Sequence, residues 1–231
     1  MNSKEQDVNY KIASMFGEIA PKYDLLNRVL SFGIDLYWRK ELVKAIRLIS
    51  SNRVLDLASG TFDVCKEIFK VHSFAKIIGM DLSLKMMLAG KKKIKRSCFL
   101  AVCGDGRRIP LKDNSVDCVT IAFGLRNIYP RDEAYEEVLR VLVDGGMFCI
   151  LEFGSTKEPI LGGIYNIYLS FLLPKIASLL SKHGAYMYLA DSVLKFPTAP
   201  KLKDELLRAG FKDVSYKRLT FGIVYLYIAI K

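Results

Sequence analysis

A short turn of small residues is the part of the chain best suited to approaching a ligand and holding a carboxylate or phosphate. The run from Val54 to Asp63, VLDLASGTFD, is an apolar strand that enters a small-residue turn and then opens a helix. Small residues let backbone approach a ligand, and amides at a helix N-terminus bind anionic groups. Asp56 and Gly60 are the candidate contacts within this run. A plain strand-to-helix turn remains the alternative, because such a turn is a weak signal by itself.

Acidic side chains end the next two predicted strands. Asp81 follows the turn by about twenty residues, where a carboxylate can accept hydrogen bonds from both ribose hydroxyls. Asp105 stands between Gly104 and Gly106 and can accept a bond from an adenine amino group, although this pattern is also typical of an ordinary turn. Together these residues predict an adenosyl ligand that has no pyrophosphate.

A sheet must bring these strand ends together, and the chain predicts one. Short apolar runs alternate with amphipathic runs, which is typical of a doubly wound α/β core with a mostly parallel sheet. We predict strands at Arg53–Leu57, Lys76–Met80, Cys98–Val102, Val116–Ala122 and Met147–Glu152, and helices at Val64–Lys70, Leu84–Lys93 and Arg131–Leu142. Ligands of such sheets bind at the carboxyl ends of the strands, so four neighbouring strand ends should form one continuous site.

The remaining segments are expected to complete a single domain, residues 1–231. Residues 1–48 have helical patterns and are predicted to form a lid across the cofactor-binding core, 52–153. Residues 158–196 are apolar, with a break at Pro174, and predict a helical insertion facing substrate or membrane; its uncharged stretch is shorter than the ~20 residues of a membrane-crossing helix. Residues 200–231 predict a helix ending at Gly210 and two strands forming an antiparallel edge.

Composition and charge limit the class of protein. A chain of 231 residues with 51% apolar and 26% charged residues suits one folded globular domain. The net charge of +11 favours anionic partners, but the lysine run from Lys91 to Lys95 is more typical of a solvated helix end. The five cysteines have no paired spacing, so neither disulfides nor a metal site is predicted. No export signal is visible, and we expect a cytoplasmic protein.

Two further runs resemble a known family. Phe16 to Asp24, FGEIAPKYD, is similar to the opening of the ubiquinone/menaquinone biosynthesis C-methyltransferases, and Phe123 to Asn127, FGLRN, resembles their most distinctive motif. Leu151 to Phe153 and Tyr186 to Ser192 match as well, and the similarity extends nearly end to end. The resemblance implies a class I, Rossmann-like fold that uses S-adenosylmethionine to methylate a ring carbon of a polyprenylated hydroquinone, typically demethylmenaquinol. A benzoquinol precursor remains the alternative substrate.

The resemblance also implies roles for individual residues. By the family pattern, cofactor-binding positions are Thr61, Asp81, Asp105, Gly106 and Ala122. Tyr23 falls in the lid over the cofactor, or else is an ordinary packing aromatic. Arg126 would stabilise the oxyanion formed when the hydroquinol loses its proton, with Asn127 orienting it. The alternative for Arg126 is a surface ion pair after a strand.

The chain departs from the family at Phe62, where members usually have the second glycine of a Gly-Thr-Gly-Asp turn. A bulky side chain and a positive φ would both be unfavourable there and would endanger cofactor binding. A negative φ, with the ring turned away, would make the cost small. We expect binding to be retained, because the other strand-end residues are intact.

Three functions remain open on the sequence alone. The first is methylation of a quinone precursor, the second a methyltransferase-fold binding protein weakened by Phe62, and the third methylation of RNA, suggested by the charge. Nucleic acid is not an expected partner, since no RNA-binding module is attached. A lipid-tailed hydroquinone implies peripheral contact with the cytoplasmic membrane face, assisted by positive charge, unless the apolar insertion only packs on the sheet. The oligomeric state is open, with a homodimer among the alternatives.

Overall fold

A seven-stranded sheet forms the centre of the protein. The computed structural model describes residues 3–49, 52–154 and 185–231. The strands are β1 (Arg53–Leu57), β2 (Lys76–Asp81), β3 (Phe99–Cys103), β4 (Val116–Ala122), β5 (Leu142–Phe153), β6 (Asp213–Leu219) and β7 (Val224–Ile230). Their order in the sheet is β3-β2-β1-β4-β5-β7-β6. Every predicted strand is present, and the first and fourth have the predicted bounds.

Eight α-helices surround the sheet in the described part of the chain. They are α1 (Ser3–Ile19), α2 (Tyr23–Leu30), α3 (Asp35–Ala45), α4 (Asp63–Val71), α5 (Leu84–Gly90), α6 (Arg131–Val141), α7 (Ala185–Lys195) and α8 (Ala199–Ala209). The α8 helix starts earlier than predicted, because Pro200 stands in its first turn, where its fixed φ is compatible with helix. Gly210 ends it at φ 113°, as predicted.

The sheet reverses its direction of winding between β1 and β4. Strand β1 pairs in parallel with β2 on one side and with β4 on the other, and β2 and β4 continue in parallel to β3 and β5. Only β7 runs antiparallel, between β5 and β6. Because the crossovers leave β1 in opposite directions, a crevice opens between its carboxyl end and that of β4. The mostly parallel sheet with an antiparallel edge confirms the predicted fold.

Two apolar layers cover the faces of the sheet. Leu55 and Leu57 point to one face, where Tyr135 of α6 and Leu202 of α8 pack. Alternate strand residues such as Val54 point to the other, which α3 and α4 cover. Each fully buried leucine of this kind contributes roughly 1.5–3 kcal/mol. The sheet that carries the strand ends is therefore a rigid platform.

The N-terminal helices pack beside the carboxyl ends of the strands. Ile19 and Leu26 form a small apolar cluster with Val193 of α7, joined by Phe16 and Tyr23. The apolar insertion predicted at 158–196 lies outside the described residues up to position 184. Of the helices that are described, none has the length and apolar character needed to cross a bilayer.

Candidate active site

A crevice lies at the carboxyl ends of β1 to β4, with α1 and the start of α2 along one side. It contains about 750 Å³ of empty space, including its open mouth. Its lining comes from each strand end and from the helices: Leu57, Ala58 and Gly60; Met80, Asp81, Leu82 and Ser83; Gly104, Asp105 and Gly106; Ala122, Phe123, Gly124, Asn127 and Ile128; Met86; Asn9, Ile12, Ala13, Phe16 and Tyr23. The four strand ends thus line one continuous crevice, at the place where the sequence predicted a ligand site.

The turn after β1 has alternating left-handed residues. Ala58, Gly60 and Phe62 have φ of 48°, 55° and 66°. The sequence linked a small cost at Phe62 to a negative φ, and the structure instead combines a positive φ with a ring that leaves the crevice. The ring is buried and packs edge-on against Phe99, with centroids 5.0 Å apart. Left-handed backbone costs roughly 1–2 kcal/mol at a non-glycine residue, and burial of the ring offsets a similar amount.

Asp81 fixes the turn to the end of β2. Its Oδ2 accepts a hydrogen bond from the Gly60 amide at 2.8 Å, and its Oδ1 accepts one from the Ser83 amide at 2.7 Å. Burial raises the pKa of the Asp81 carboxyl, and the two amides act in the opposite direction. The carboxylate therefore has a set orientation at the crevice.

Asp105 is held by a buried arginine that the sequence reasoning missed. Arg107 donates from Nη2 to Oδ2 of Asp105 at 2.6 Å and from its backbone amide to Oδ1 at 3.0 Å. Although burial acts to raise it, the pKa of Asp105 is lowered by these bonds and by the charge of Arg107. Asp105 is thus an ionised acceptor of fixed orientation. The sequence signal for this ion pair is an arginine two residues after an aspartate in a turn.

Asn9 connects α1 to the far side of the crevice. Its Nδ2 donates to the Tyr129 carbonyl at 2.6 Å, and its Oδ1 accepts from the Tyr129 amide at 3.0 Å. The same carbonyl oxygen accepts a bond from Nη1 of Arg107 at 2.6 Å. Sequence reasoning missed Asn9, since an asparagine in an N-terminal helix has no distinctive signal.

Two of the expected cofactor contacts lie beside the crevice rather than in its lining. Asp56 is buried within β1, where it accepts bonds from Thr120 Oγ1 at 2.6 Å and Ser59 Oγ at 2.7 Å. Burial raises the pKa of Asp56 to about 6. Thr61 donates from Oγ1 to Oδ1 of Asp24 at 2.6 Å. The polar atoms of both side chains are hydrogen-bonded within the protein, and these bonds stabilise the turn after β1.

Arg126 lies beside the crevice in a buried ion pair. It is buried, its Nη1 donates to Glu152 Oε1 at 2.8 Å and to the Phe123 carbonyl, and its guanidinium lies 5.5 Å from the ring centre of Phe153. Its backbone amide donates to Glu152 Oε2 at 3.3 Å. Arg126 is absent from the crevice lining, and its charge is matched by a fully buried carboxylate. Among the described residues it therefore anchors the turn after β4, and its contact with a substrate oxyanion stays a prediction.

Asn127 and Tyr23 do line the crevice, and Asn127 is bonded to a tyrosine that the sequence reasoning did not select. The Tyr188 hydroxyl of α7 donates to Asn127 Oδ1 at 3.1 Å. Phe16 contacts Tyr23 and Tyr188 edge-on, with ring centres 6.1 and 6.4 Å apart. The signal for Tyr188 was its place within the matching run Tyr186 to Ser192. These residues form one aromatic and amide wall.

Charged side chains dock the N-terminal helices onto the turn and α4. Lys93 binds Asp24 of α2 at 2.5 Å and Asp63 of α4 at 2.6 Å. Arg28 binds the same Asp63 at 3.0 Å and also pairs with Asp35 of α3. At least one member of the lysine run is therefore not merely solvated, because it links two structural elements.

Comparisons with solved structures show the fold. A chain from the complex between the Haloferax volcanii Trm112 methyltransferase activator and a methyltransferase superposes with a TM-score of 0.70 and 14% identity over 93% of this chain and 96% of that chain. A SAM-dependent methyltransferase from Thermotoga maritima gives 0.68 and 18%, over 95% and 99%. The architecture is thus that of class I S-adenosylmethionine-dependent methyltransferases.

Sequence comparisons give a closer relationship. The ubiquinone/menaquinone biosynthesis C-methyltransferase UbiE of Geobacter sulfurreducens is 42% identical over 229 residues, 96% of this chain and 88% of that protein. The demethylmenaquinone methyltransferase of Corynebacterium glutamicum strain R is 40% identical over 223 residues, 96% and 94% of the two chains. The ubiE/COQ5 methyltransferase family matches residues 1–231. The family expected from the FGLRN run is thereby confirmed: the chain belongs to the ubiE/COQ5 methyltransferase family and is an S-adenosylmethionine-dependent methyltransferase.

Proposed function

We propose that this methyltransferase transfers the methyl group of S-adenosylmethionine to a ring carbon of a lipid-tailed hydroquinone, with demethylmenaquinol as the preferred acceptor. One observation carries the proposal: Asn127, from the run most distinctive of the family, lies in the same crevice as Asp81 and Asp105. The names of the relatives support the choice of acceptor, since one is a demethylmenaquinone methyltransferase.

The crevice suits the adenosyl part of the cofactor. Each Asp81 oxygen accepts one amide bond and retains capacity for a ribose hydroxyl. Asp105, kept ionised by Arg107, can accept a bond from the adenine amino group. At Gly104 a Cβ would lie 2.7 Å from Met80 Cε, so a side chain there would force Met80, which also lines the crevice, to move. We assign Gly60, Asp81, Asp105, Gly106 and Ala122 to the cofactor pocket, with Asp56 and Thr61 supporting it from beneath.

S-adenosylmethionine supplies a methyl group on a positively charged sulfur. The protein must hold the acceptor ring in line and stabilise the oxyanion that makes its neighbouring carbon nucleophilic. Asn127 is the candidate donor, because none of the described residues accepts a hydrogen bond from its Nδ2. Tyr23 and Phe16 form the apolar side of the ring site and exclude water. Arg126 and Glu152 act through the turn that presents Asn127.

Because a lipid-tailed substrate resides in the membrane, we propose that the enzyme binds to the cytoplasmic membrane face. Leu25, Val29 and Phe32 expose 62%, 44% and 79% of their surface on α2 and the turn after it. Exposed apolar side chains combined with a net charge of +11 favour an acidic lipid surface. Co-sedimentation with anionic vesicles, compared with neutral vesicles, tests this part, and equal recovery with both would contradict it.

Neither alternative function gains a supporting observation. A binding protein weakened by Phe62 needs that ring in the crevice, and the ring lies outside its lining. For an RNA methyltransferase, the lysine run offers less free charge than its sequence indicates, because Lys93 is paired with Asp24 and Asp63 while Lys91, Lys92 and Lys95 are exposed.

The deciding experiment is methyl transfer from labelled S-adenosylmethionine to reduced demethylmenaquinone and to the benzoquinol precursor in parallel. We expect labelled product from the naphthoquinol, and a loss of roughly 10²–10³-fold in kcat in Asn127→Ala. Calorimetry should show that this variant still binds S-adenosylmethionine. Absence of product from both acceptors would defeat the proposal.

A further inference from the structure

We infer that Tyr188 is a positioning residue of this enzyme: its hydroxyl holds the Asn127 carboxamide with the nitrogen turned towards the acceptor ring. The inference rests on the proposed function and adds a residue to its machinery. Tyr188 lies on α7, far in sequence from Asn127, and the two meet only in the folded chain.

The side-chain geometry carries the first step. Tyr188 Oη donates to Asn127 Oδ1 at 3.1 Å. A carboxamide has an acceptor oxygen at one end and a donor nitrogen at the other, so fixing the oxygen also fixes the nitrogen. Asn127 lines the crevice, and its Nδ2 has no acceptor among the described residues. The hydrogen bond therefore leaves a donor available for the acceptor ring.

The backbone of Asn127 is fixed separately. Its turn, Leu125–Asn127, is tied to β5 by the Arg126 amide and guanidinium, which both donate to Glu152. These bonds fix the backbone position of Asn127, but they do not fix the rotation of its carboxamide about the Cβ–Cγ bond. Tyr188 supplies that constraint, since it contacts the end of the side chain.

Tyr188 is itself held in place and kept protonated. Its ring packs edge-on against Phe16, with centres 6.4 Å apart. Burial raises the pKa of Tyr188 to about 12, and the charged or titratable groups that act on it are Tyr129, Arg126, Glu152 and Asp191. The hydroxyl thus remains a donor through the neutral range.

The functional consequence is an effect on the oxyanion. Without Tyr188, the amide would present its oxygen to the ring for part of the time, and an oxygen repels a phenolate. We expect Tyr188→Phe to lower kcat roughly tenfold, less than removal of the donor itself. The pH profile of kcat should shift by about one unit to higher pH, because the bound hydroxyl would lose its proton less readily. The KM for S-adenosylmethionine should stay unchanged.

A double-mutant cycle tests the inference. The variants are Tyr188→Phe, Asn127→Ala and their combination, with Tyr227→Phe as a matched control because the Tyr227 hydroxyl is buried without a partner in the described residues. If Tyr188 acts through Asn127, its removal has no further effect in the Asn127→Ala background. If the losses of kcat in the two single variants multiply in the double variant, or if the pH profile of Tyr188→Phe does not shift, the inference is overturned. The Tyr227→Phe control should match the wild type.

A second measurement needs no turnover. In protein labelled with ¹⁵N-asparagine, the side-chain NH₂ signals of Asn127 are identified by their loss in Asn127→Ala. We expect them to move in Tyr188→Phe and to remain in place in Tyr227→Phe. Signals that do not move in Tyr188→Phe would defeat the inference alone. Signals that move in Tyr188→Phe, together with a wild type that methylates neither quinol, would defeat only the proposed function.

Discussion

The Phe62 ring packs against Gly79 of β2: a Cβ on Gly79 would lie 3.0 Å from Phe62 Cδ1 and Cε1. The ring lies next to β2 in space that a side chain at position 79 would enter. The phenylalanine that replaces the usual glycine at position 62 therefore packs into the apolar layer between the sheet and helices α3 and α4.

The first prediction follows from this contact. Gly79→Ala should lower the free energy of unfolding by roughly 1–3 kcal/mol, because the added methyl forces the Phe62 ring to shift in a filled core. Urea unfolding measures the effect. In a Phe62→Ala background the penalty of Gly79→Ala should shrink, and an equal penalty in both backgrounds would show that the contact does not matter.

Phe62→Gly gives the second prediction. It should leave the affinity for S-adenosylmethionine nearly unchanged, because the ring is outside the crevice lining. It should lower stability by roughly 2–3 kcal/mol, since the loss of a buried ring outweighs the relief of left-handed backbone. Calorimetric titration and thermal unfolding of the same variant check the two halves. Tighter binding by tenfold or more would mean that Phe62 does obstruct the cofactor.

The third prediction concerns the buried Asp56. Its pKa rises from 3.8 unfolded to about 6 folded, so the folded protein binds more protons between those values. Its contribution to stability is consequently greatest at low pH and is lost as the pH rises through about 6. Between pH 7 and pH 5 the wild type should gain roughly 1 kcal/mol over Asp56→Asn. Parallel pH dependences of unfolding in the two proteins would contradict the shift.

Lys93 provides the fourth prediction. Lys93→Ala removes the bonds to Asp24 and Asp63, so the N-terminal helices should open more often and the Kd for S-adenosylmethionine should rise about fivefold, equivalent to about 1 kcal/mol. The matched control is Lys92→Ala, in the same run but exposed. Calorimetry at two salt concentrations measures both. Equal affinities in the two variants would show that the docking contacts do not support binding.

A fifth prediction separates anchoring from catalysis at Arg126. Arg126→Met leaves Glu152 buried without its partner and should cost about 3–5 kcal/mol of stability. The double variant Arg126→Met with Glu152→Met should recover most of that loss, because no unpaired charge remains. Chemical unfolding measures both proteins. A stable Arg126→Met with no activity would instead favour direct contact with the substrate.

The parts predicted from sequence were those set by local patterns. Apolar runs and polar strand ends located the strands and brought Asp81 and Asp105 to one crevice, since parallel strands end at one edge. The roles of Arg126 and Thr61 could not be obtained in this way. Their partners, Glu152 and Asp24, are distant in sequence, and no spacing rule relates them.

The same limit applied to the residues that were missed. Asn9 and Tyr188 act through hydrogen bonds to residues distant in sequence, and Arg107 bonds both the nearby Asp105 and the distant Tyr129 carbonyl; neither periodicity nor composition records such bonds. Phe62 is intermediate, because a positive φ was one of the two alternatives that the family turn left open, while the direction of its ring depended on a glycine in another strand.

The carbonyl oxygen of Tyr129 accepts bonds from both Asn9 and Arg107, each at 2.6 Å. One oxygen thereby joins the helix above the crevice to the arginine that orients Asp105. If α1 lifts, Arg107 keeps its bonds to Asp105 but loses a neighbour that shares its acceptor. We expect Asp105 therefore to keep its orientation when α1 lifts, so that cofactor can leave and enter past this helix without its adenine acceptor being rebuilt.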